Sequence, residues 1–342
     1  MLETSPRPLL FGITGAGVLH DAGSNPDVDT RFAMVRDAGV FDYYDRTPPT
    51  GELDLYRRAS AKHGVPILAG GFFYTLGRDE PLLAWHLAVA RELGTQVQNV
   101  QILTRDASGR PVTDDEVAAA YLAAAELGDR LGVAVCFEVH VNMWSEHFGR
   151  IQSVADLVAR RGARFRMTLD ASHVIFKIDN PVEQEVQGLR ADVDAGRVVL
   201  DPYAPGSVSR GWIDGNLVGH AHARPAVPAN PRNIWGQHPD GTVGRGIQYP
   251  FREPAPGAWH SPWDETRLEP WKEVMRQLLR HHAGDPSSPL QMISTEIIPP
   301  PDYGAGARYS LFDDSVALAT WLRAEWAAAQ QAAVAAIDRA AT

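Results

Sequence analysis

Short apolar, β-branched runs alternate along the chain with longer amphipathic segments, and eight such pairs can be marked. Short apolar runs indicate buried strands, and apolar positions at helical spacing indicate amphipathic helices. Strands that alternate with helices predict parallel strands joined by right-handed crossovers, and eight units favour closure into a barrel. We therefore predict an α/β fold, a (β/α)8 TIM barrel, with an open doubly wound sheet as the alternative.

The element boundaries follow from the same pattern. The predicted strands are Leu9–Ile13, Val40–Tyr44, Pro66–Leu68 with the following GGFFY, Val97–Leu103, VAVCFEVH, FRMTLD, NLVGHAH and LQMISTEII. The predicted helices are Asp29–Ala38, Leu53–His63, Pro81–Leu93, Asp114–Leu131, Ile151–Arg161, Pro181–Ala195, Leu268–His281 and Asp313–Ile337. The fourth helix opens with TDDE, whose hydroxyl and carboxylates suit a helix N-terminus. We assign residues 1–342 to a single barrel domain.

Two segments interrupt this rhythm, at about residues 198–211 and 224–265, on either side of the seventh strand. Irregular connections of this length within a compact domain are usually functional or disordered. The second segment contains three tryptophans together with Tyr249 and Phe251, which is too aromatic for a disordered chain. We predict an insertion that covers the active site or contacts a partner, with a merely structural cover as the alternative.

Charge and cysteine content exclude several function classes. A net charge of -10 provides no general attraction for nucleic-acid phosphates or anionic lipid. The N-terminus lacks the basic start and apolar run of a secretory signal, and no apolar stretch reaches the ~20 residues of a membrane span. We expect a cytoplasmic protein that binds neither nucleic acid nor membrane. Cys136 is the only cysteine, so oxygen and imidazole are the available metal ligands.

Polar residues occupy the ends of predicted strands five to eight: Glu138 and His140, then Asp170 and His173, then His220, His222 and Arg224, then Glu296. Residues two apart on a strand share a face, and the C-terminal rim of a barrel carries its functional side chains. A lone Glu or His at a strand end is commonly a solvated or hydrogen-bonded group. Four successive strand ends of this kind are not explained that way.

The carboxylates and imidazoles together predict a metal centre. Three carboxylates buried close together would repel and raise one another's pKa values. A divalent cation removes that conflict, and oxygen and imidazole ligands suit Mn²⁺, Mg²⁺, Co²⁺ or Zn²⁺.

These motifs resemble those of the xylose-isomerase-like barrel superfamily, which includes sugar isomerases, ketose 3-epimerases, inosose dehydratases and apurinic endonucleases. The resemblance spans nearly the whole chain, and LDxxH at Leu169–His173 is its most specific fragment. It implies a divalent metal, Mn²⁺ first, with four ligands: Glu138, Asp170, His222 and Glu296. The second histidine of the HxH pattern is the usual ligand in such proteins, which favours His222 over His220.

Two departures from the epimerase pattern change the expected chemistry. After Glu138 the chain reads VHVNMW, where the epimerases place a second acidic residue, so inversion of a carbon by two carboxylates is disfavoured. The segments NIWGQHPDGTVGRGIQYPF and WHSPWDE are most similar to the catalytic subunit of C-glycoside deglycosylases. That resemblance implies a hetero-oligomer with a small β subunit, which we expect to contact residues 224–265.

The same resemblance implies a metal-dependent carbon–carbon lyase acting on a glycoside with a ketone at C3. Removal of the C2 proton gives an enolate that the metal stabilises, and an aromatic aglycone at C1 then leaves. His140 is the candidate general base, with orientation of a ligand as the alternative. His173 is the second catalytic candidate. The expected substrate contacts are His220, Arg224, Trp235 and Tyr43; Tyr43 lies beside Asp45 and Arg46, where an exposed turn is the alternative.

Three other functions stay open. The same site could isomerise or epimerise a free keto sugar, or dehydrate an inosose. A non-catalytic barrel could use residues 224–265 as an interface and act as a binding scaffold. A DNA-repair endonuclease would need further metal ligands and a basic groove, which the acidic charge balance disfavours.

Overall fold

The computed structural model describes residues 8–340, and its centre is a closed barrel of eight parallel strands. The barrel strands are β1 (Leu10–Thr14), β2 (Tyr43–Asp45), β3 (Ile67–Tyr74), β4 (Val97–Ile102), β5 (Ala134–Glu138), β6 (Met167–Asp170), β7 (Val218–Ala223) and β10 (Met292–Thr295). Each pairs in parallel with its neighbours, and β10 pairs with β1 to close the barrel. The predicted barrel is therefore confirmed.

Eleven helices lie between and after the strands within residues 8–340. They are α1 (Val28–Ala38), α2 (Leu53–His63), α3 (Glu80–Leu93), α4 (Asp114–Leu131), α5 (Gly149–Arg160), α6 (Ser172–Ile175), α7 (Pro181–Glu185), α8 (Arg190–Asp194), α9 (Val208–Asp214), α10 (Glu269–Gly284) and α11 (Leu311–Ala340). The predicted start of α4 is a capping box: Thr113 Oγ1 accepts from Glu116 N, and the Glu116 carboxylate accepts from Thr113 N. This exchange satisfies two free backbone donors at the helix start.

The predicted helix Pro181–Ala195 is wrong, because the structure has only the short helices α7 and α8 in this region. Between them Gln187 and Gly188 have φ angles of 61° and 73°. A left-handed backbone cannot continue a right-handed helix and is costly for a residue with a side chain. A single glycine inside an apolar periodic pattern is a weak signal for such a break, so the sequence did not show it.

Both segments predicted as irregular contain regular structure. The first, residues 198–211, includes the start of α9. The second, residues 224–265, contains an antiparallel hairpin of β8 (Asn233–Gln237) and β9 (Val243–Gly244). Its aromatic residues have a packing role, since Tyr249 and Trp259 are buried together. We call residues 224–265 the covering segment.

The long C-terminal helix α11 packs against α10 on the outside of the barrel. The rings of Trp271 and Trp321 are 5.9 Å apart, and Arg276 Nε lies 3.2 Å from a carboxylate oxygen of Glu325. The contact buries an apolar stripe of α11 that includes Leu318 and Leu322. Across residues 8–340, neither α11 nor any other helix has the length and apolar character needed to cross a membrane.

Candidate metal centre and active site

Side chains from β5, from β7 and from the chain just after β10 meet in one cluster at the barrel rim. His222 Nδ1 lies 2.9 Å from Glu138 Oε1 and 3.0 Å from Glu296 Oε2. Glu138 ends β5, and Glu296 follows β10 directly. Because side chains on a barrel strand alternate between the interior and the helices, strand ends of matching register direct their side chains to one point. Three of the four residues predicted as ligands therefore converge. We call Glu138, His222 and Glu296 the rim cluster.

Asp170, the fourth predicted ligand, joins this cluster through Arg224. Arg224 Nη1 lies 3.0 Å from Asp170 Oδ2, and Nη2 donates to Glu296 Oε2. The guanidinium is fully buried and lies 4.1 Å from the centre of the Tyr303 ring. Burial disfavours its charge, but Asp170 and Glu296 raise the pKa of Arg224 above its usual value. The side chain predicted to bind substrate is thus a buried cation between two carboxylates.

Two amides of β4 hold the carboxylate of Glu138. Asn99 Nδ2 donates to Glu138 Oε2 at 2.5 Å, and Gln101 Nε2 donates to the same oxygen. Burial disfavours ionisation, but the neighbouring His222 and His140 lower the pKa of Glu138 well below its usual value. The sequence reasoning missed both amides. Their signal is that polar residues at alternate positions, Asn99 and Gln101, lie in a short strand buried along its whole length.

His220 and His222 face different surroundings although they lie two apart on β7. His220 is fully buried, with Nδ1 3.3 Å from Thr168 Oγ1 and Nε2 3.3 Å from Ser294 Oγ. Burial lowers the pKa of His220 to about 3, so this imidazole is neutral. Burial has the same tendency at His222, but Glu296 and Glu138 raise its pKa well above the usual value. His222 is thus the histidine that faces the carboxylates.

A group of rings lies beside the carboxylates. The rings of His140 and His173 are 4.3 Å apart, and His173 Nε2 is 3.2 Å from Asp170 Oδ2. His140 Nε2 is 3.2 Å from the Tyr303 hydroxyl, and its Nδ1 is 2.5 Å from the Val141 carbonyl oxygen. Burial lowers the pKa of His173 to about 4 and raises that of Tyr303. His173 is therefore neutral, and Tyr303 keeps its proton.

Tyr43 begins β2 and Asp45 ends it, and both side chains are buried. The Tyr43 ring packs in the barrel interior against Val97 and Met292, at the first positions of β4 and β10. Its hydroxyl forms a 2.8 Å hydrogen bond with Ser294 Oγ. Ser294 Oγ also donates to Asp45 Oδ2 at 2.6 Å. The structure thus places Tyr43 below the rim cluster, and the exposed turn considered for Asp45 is not found.

The covering segment packs on the turn that carries Tyr303. Asn233 Nδ2 lies 3.0 Å from each of three carbonyl oxygens in this turn: those of Pro301, Tyr303 and Ala305. Trp235, predicted to bind substrate, lies 4.7 Å below the Arg308 guanidinium and has the His260 ring 5.5 Å away. The sequence analysis gave neither Asn233 nor Tyr303 a role, because both act through an irregular turn.

The carboxylate of Glu146, in the connection after β5, forms ion pairs with two basic side chains. Its Oε1 lies 3.0 Å from Lys177 Nζ and 2.6 Å from Arg245 Nη2. Arg245 belongs to the covering segment and also pairs with Glu183 at 2.5 Å. This buried network ties the covering segment to the loops after β5 and β6. It also removes Glu146 as a free carboxylate of the site.

The donors of the rim cluster fit a divalent cation. Ligand atoms of Glu138, His222 and Glu296 all lie within 4.8 Å of one another. Asp170 Oδ2 is buried and has ion-pair contacts with Arg224 and His173, but no well-aligned hydrogen bond within residues 8–340. Carboxylate and imidazole donors of this kind suit Mn²⁺, Mg²⁺, Co²⁺ or Zn²⁺.

No protein-family model matches the chain, and no curated protein is significantly similar to it. Several solved structures share its fold. D-allulose 3-epimerase from Methylomonas sp. in complex with D-allulose is 14% identical over 92% of this chain and 94% of its own, with a TM-score of 0.52. The IolI protein with bound zinc is 13% identical over 93% and 98%, with a TM-score of 0.52.

A xylose isomerase-like TIM barrel protein from Mycobacterium smegmatis in complex with magnesium is 10% identical over 94% of this chain and 98% of its own, with a TM-score of 0.51. None of these three structures is a C-glycoside deglycosylase, so that finer resemblance stays a prediction. At such identities the likeness concerns the fold. The chain has the closed-barrel fold of the xylose isomerase-like TIM barrel proteins.

Proposed function

We propose that the protein is a divalent-metal-dependent enzyme that removes the proton next to the carbonyl group of a keto sugar. The convergence of Glu138, His222 and Glu296 beside the His140 and His173 rings carries this proposal. These three residues would hold the metal, with Asp170 as the fourth ligand. A bound divalent cation would neutralise the negative charge that develops on a carbonyl oxygen when the neighbouring proton is removed.

His140 is the proposed general base, and its tautomer supports this role. A carbonyl oxygen can only accept a hydrogen bond, so the 2.5 Å contact with Val141 O places a proton on His140 Nδ1. His140 Nε2 then carries the lone pair, which accepts a hydrogen bond from the Tyr303 hydroxyl at 3.2 Å. A neutral imidazole with one nitrogen fixed in this way can accept a substrate proton at the other.

The other polar side chains would bind and orient the substrate. The guanidinium of Arg224 is fully buried and its donors contact Asp170 and Glu296, so we propose that it orients these carboxylates and that its predicted contact with the substrate is indirect. His173 is neutral and adjoins His140, so we propose that it positions a substrate hydroxyl. The bound D-allulose of the Methylomonas epimerase supports a sugar as the substrate class. Isomerisation or epimerisation is the reaction best supported by these likenesses.

Elimination from a 3-oxo-C-glycoside is the second candidate, and two observations favour it. Glu146 is paired with Lys177 and Arg245, so it is not available as a second acid–base carboxylate, and the rings of His140 and His173 lie beside the carboxylates instead. Phe73 is 49% exposed, and its ring centre is 6.2 Å from that of His140. This ring offers an aromatic surface to an aglycone. Tyr303, which keeps its proton, could donate it to the leaving group.

A small β subunit would accompany the second candidate. We propose the β8–β9 hairpin as its contact, because Ile234 on this hairpin is 59% exposed. The cytoplasmic location expected from the sequence also stays a prediction.

The proposal is tested by hydrogen exchange at carbon. The protein is stripped with a chelator, reloaded with Mn²⁺ and incubated with D-allulose or another keto sugar in deuterated water. We expect deuterium to enter the carbon next to the carbonyl only when the metal is present. Release of a phenolic aglycone from a 3-oxo-C-glucoside would select elimination. A reloaded protein that retains no ion and catalyses neither reaction would contradict the proposal and favour a binding scaffold.

A further inference from the structure

Asp45 is a buried carboxylate to which the proposed chemistry gives no role. It ends β2 and is 5% exposed. Its Oδ2 accepts a 2.6 Å hydrogen bond from Ser294 Oγ and lies 3.5 Å from His222 Nε2. The Asp45 carboxylate therefore lies on the opposite side of the His222 ring from Glu138 and Glu296.

The two ring nitrogens of His222 have separate neighbours. Nδ1 faces the two carboxylates, at 2.9 Å and 3.0 Å. Nε2 is buried and lacks a well-aligned hydrogen bond to any described residue, with Asp45 as its ion-pair neighbour. A neutral imidazole presents a lone pair on one nitrogen only if its proton is on the other. A carboxylate beside the second nitrogen fixes the proton there and makes the first nitrogen a stronger ligand.

We infer that Asp45 is a positioning residue of the metal centre: it holds the proton on His222 Nε2 and so presents the lone pair of Nδ1 between Glu138 and Glu296. The inference rests on the proposed metal centre. A chain of buried groups keeps Asp45 in place, since Ser294 Oγ contacts both Asp45 and the Tyr43 hydroxyl. This accounts for a tyrosine and a serine hydroxyl in the barrel interior.

The same side chains offer an alternative, a second cation site behind His222. Ligand atoms of Asp45, His220 and His222 lie within 4.8 Å of one another and could hold a cation of their own. His220 makes this arrangement weaker, because both of its nitrogens are 3.3 Å from a hydroxyl oxygen. The two arrangements differ in the number of ions that a chain binds and in the protonation of His222 Nε2.

The test compares Asp45→Asn with Asp42→Asn. Asp42 lies three residues earlier, where its carboxylate accepts from Phe11 N at 2.8 Å and pairs with Arg323 at 2.7 Å. Mn²⁺ binding to the chelator-stripped full chain is measured by the electron paramagnetic resonance signal of the free ion. We expect one ion per wild-type chain, a Kd raised about 10- to 100-fold by Asp45→Asn and a Kd unchanged by Asp42→Asn.

Two further measurements distinguish a loss of metal affinity caused by the Asp45 contact from one caused by misfolding of Asp45→Asn. Ser294→Ala leaves the Asp45 carboxylate in place but removes its hydroxyl donor, so the Kd should rise in the same direction by less. In the Zn²⁺-loaded wild type, ¹⁵N spectra of the histidine rings should show a proton on His222 Nε2, assigned by its loss in His222→Asn.

The outcomes separate the inference from the proposed function. Equal Kd values for the wild type, Asp45→Asn and Ser294→Ala would overturn the inference and leave the metal centre intact. Two ions per wild-type chain, or an unprotonated His222 Nε2 in the Zn²⁺ form, would overturn it in favour of a second cation site. A wild type that binds no ion would overturn the metal centre, and the inference with it.

Discussion

The rim cluster and the covering segment reach the same site by different physical routes. The cluster is set by the regular alternation of barrel strands, which directs Glu138 and His222 inward from neighbouring parts of the sheet. The covering segment has no such period. Apart from Arg224, which directly follows β7, its contact with the site is the Asn233 amide that holds the turn of Tyr303. The strands thus position the proposed metal ligands. The covering segment positions Tyr303, whose hydroxyl contacts the proposed base His140. Metal binding and proton transfer should therefore be separable by mutation.

The largest effect should follow from Glu296→Gln. This change removes a charged ligand and a partner of both His222 and Arg224. We expect Mn²⁺ affinity to fall by more than the roughly 100-fold typical of groups behind the ligands, and metal-dependent deuterium exchange to disappear. Glu325→Gln is the matched control, because Glu325 pairs with Arg276 on the outer helices. Metal affinity that is unchanged by Glu296→Gln would remove Glu296 from the centre.

His140→Asn should separate metal binding from proton transfer. We expect the exchange rate to fall about 10²- to 10⁴-fold, the usual contribution of a general base, while the Mn²⁺ Kd stays near that of the wild type. Tyr303→Phe removes only the hydroxyl 3.2 Å from His140 Nε2 and should have a smaller effect on the rate. Simultaneous loss of metal binding and exchange in His140→Asn would instead indicate that His140 orients the ligand Glu138.

Asn233→Asp tests the covering segment. The aspartate keeps an oxygen that can accept from Gly236 N, as Asn233 Oδ1 does at 3.2 Å, but it lacks the amide that donates to the Tyr303 turn. It also brings a negative charge towards carbonyl oxygens. We expect a loss of about 1–3 kcal/mol in the free energy of unfolding, measured in urea, and slower exchange with unchanged Mn²⁺ binding. Asn233→Ala, which removes both donor and acceptor, should affect the turn similarly. Full activity in both variants would show that Asn233 does not position Tyr303 for the reaction.

The contrast between the regular strands and the irregular covering segment also explains what the sequence could predict. The barrel and the residues at its strand ends follow from the periods of the apolar pattern, which are local properties of each strand or helix. The two-residue spacing on β7 even places His220 and His222 on one face. Their different roles depend on Thr168 and Ser294, which come from two other strands. That distinction is a tertiary one, and the sequence pattern does not contain it.

Contacts that depend on irregular backbone were missed for a related reason. Tyr303 reaches His140 because the amide of Asn233 holds the turn after β10. Asn233 lies 68 to 72 positions earlier in the chain than the three residues whose carbonyl oxygens it contacts. No periodic pattern connects such residues. The broken helix at Gln187 and Gly188 is a similar case, because two left-handed residues override an otherwise helical pattern.

Phe72 and Phe73 provide the finest test, because they are adjacent on β3 and face opposite sides of the strand. The Phe72 ring lies 4.9 Å from His86 on α3, whereas the Phe73 ring lies 6.2 Å from His140 at the rim. Phe73→Ala should raise KM by about 2- to 10-fold, the equivalent of the roughly 0.5–1.5 kcal/mol of an aromatic contact. Phe72→Ala, with a similarly exposed ring, should leave KM unchanged.

Comparison of two substrates sharpens the result. If Phe73 contacts an aglycone, the KM of an aromatic 3-oxo-C-glycoside should rise and that of a free keto sugar should not. If it contacts the apolar face of the sugar, both values should rise together. Equal KM values for the wild type and Phe73→Ala with both substrates would mean that the exposed ring lies outside the bound substrate. The proposed site would then consist of the buried residues alone, and the aromatic argument for elimination would be lost.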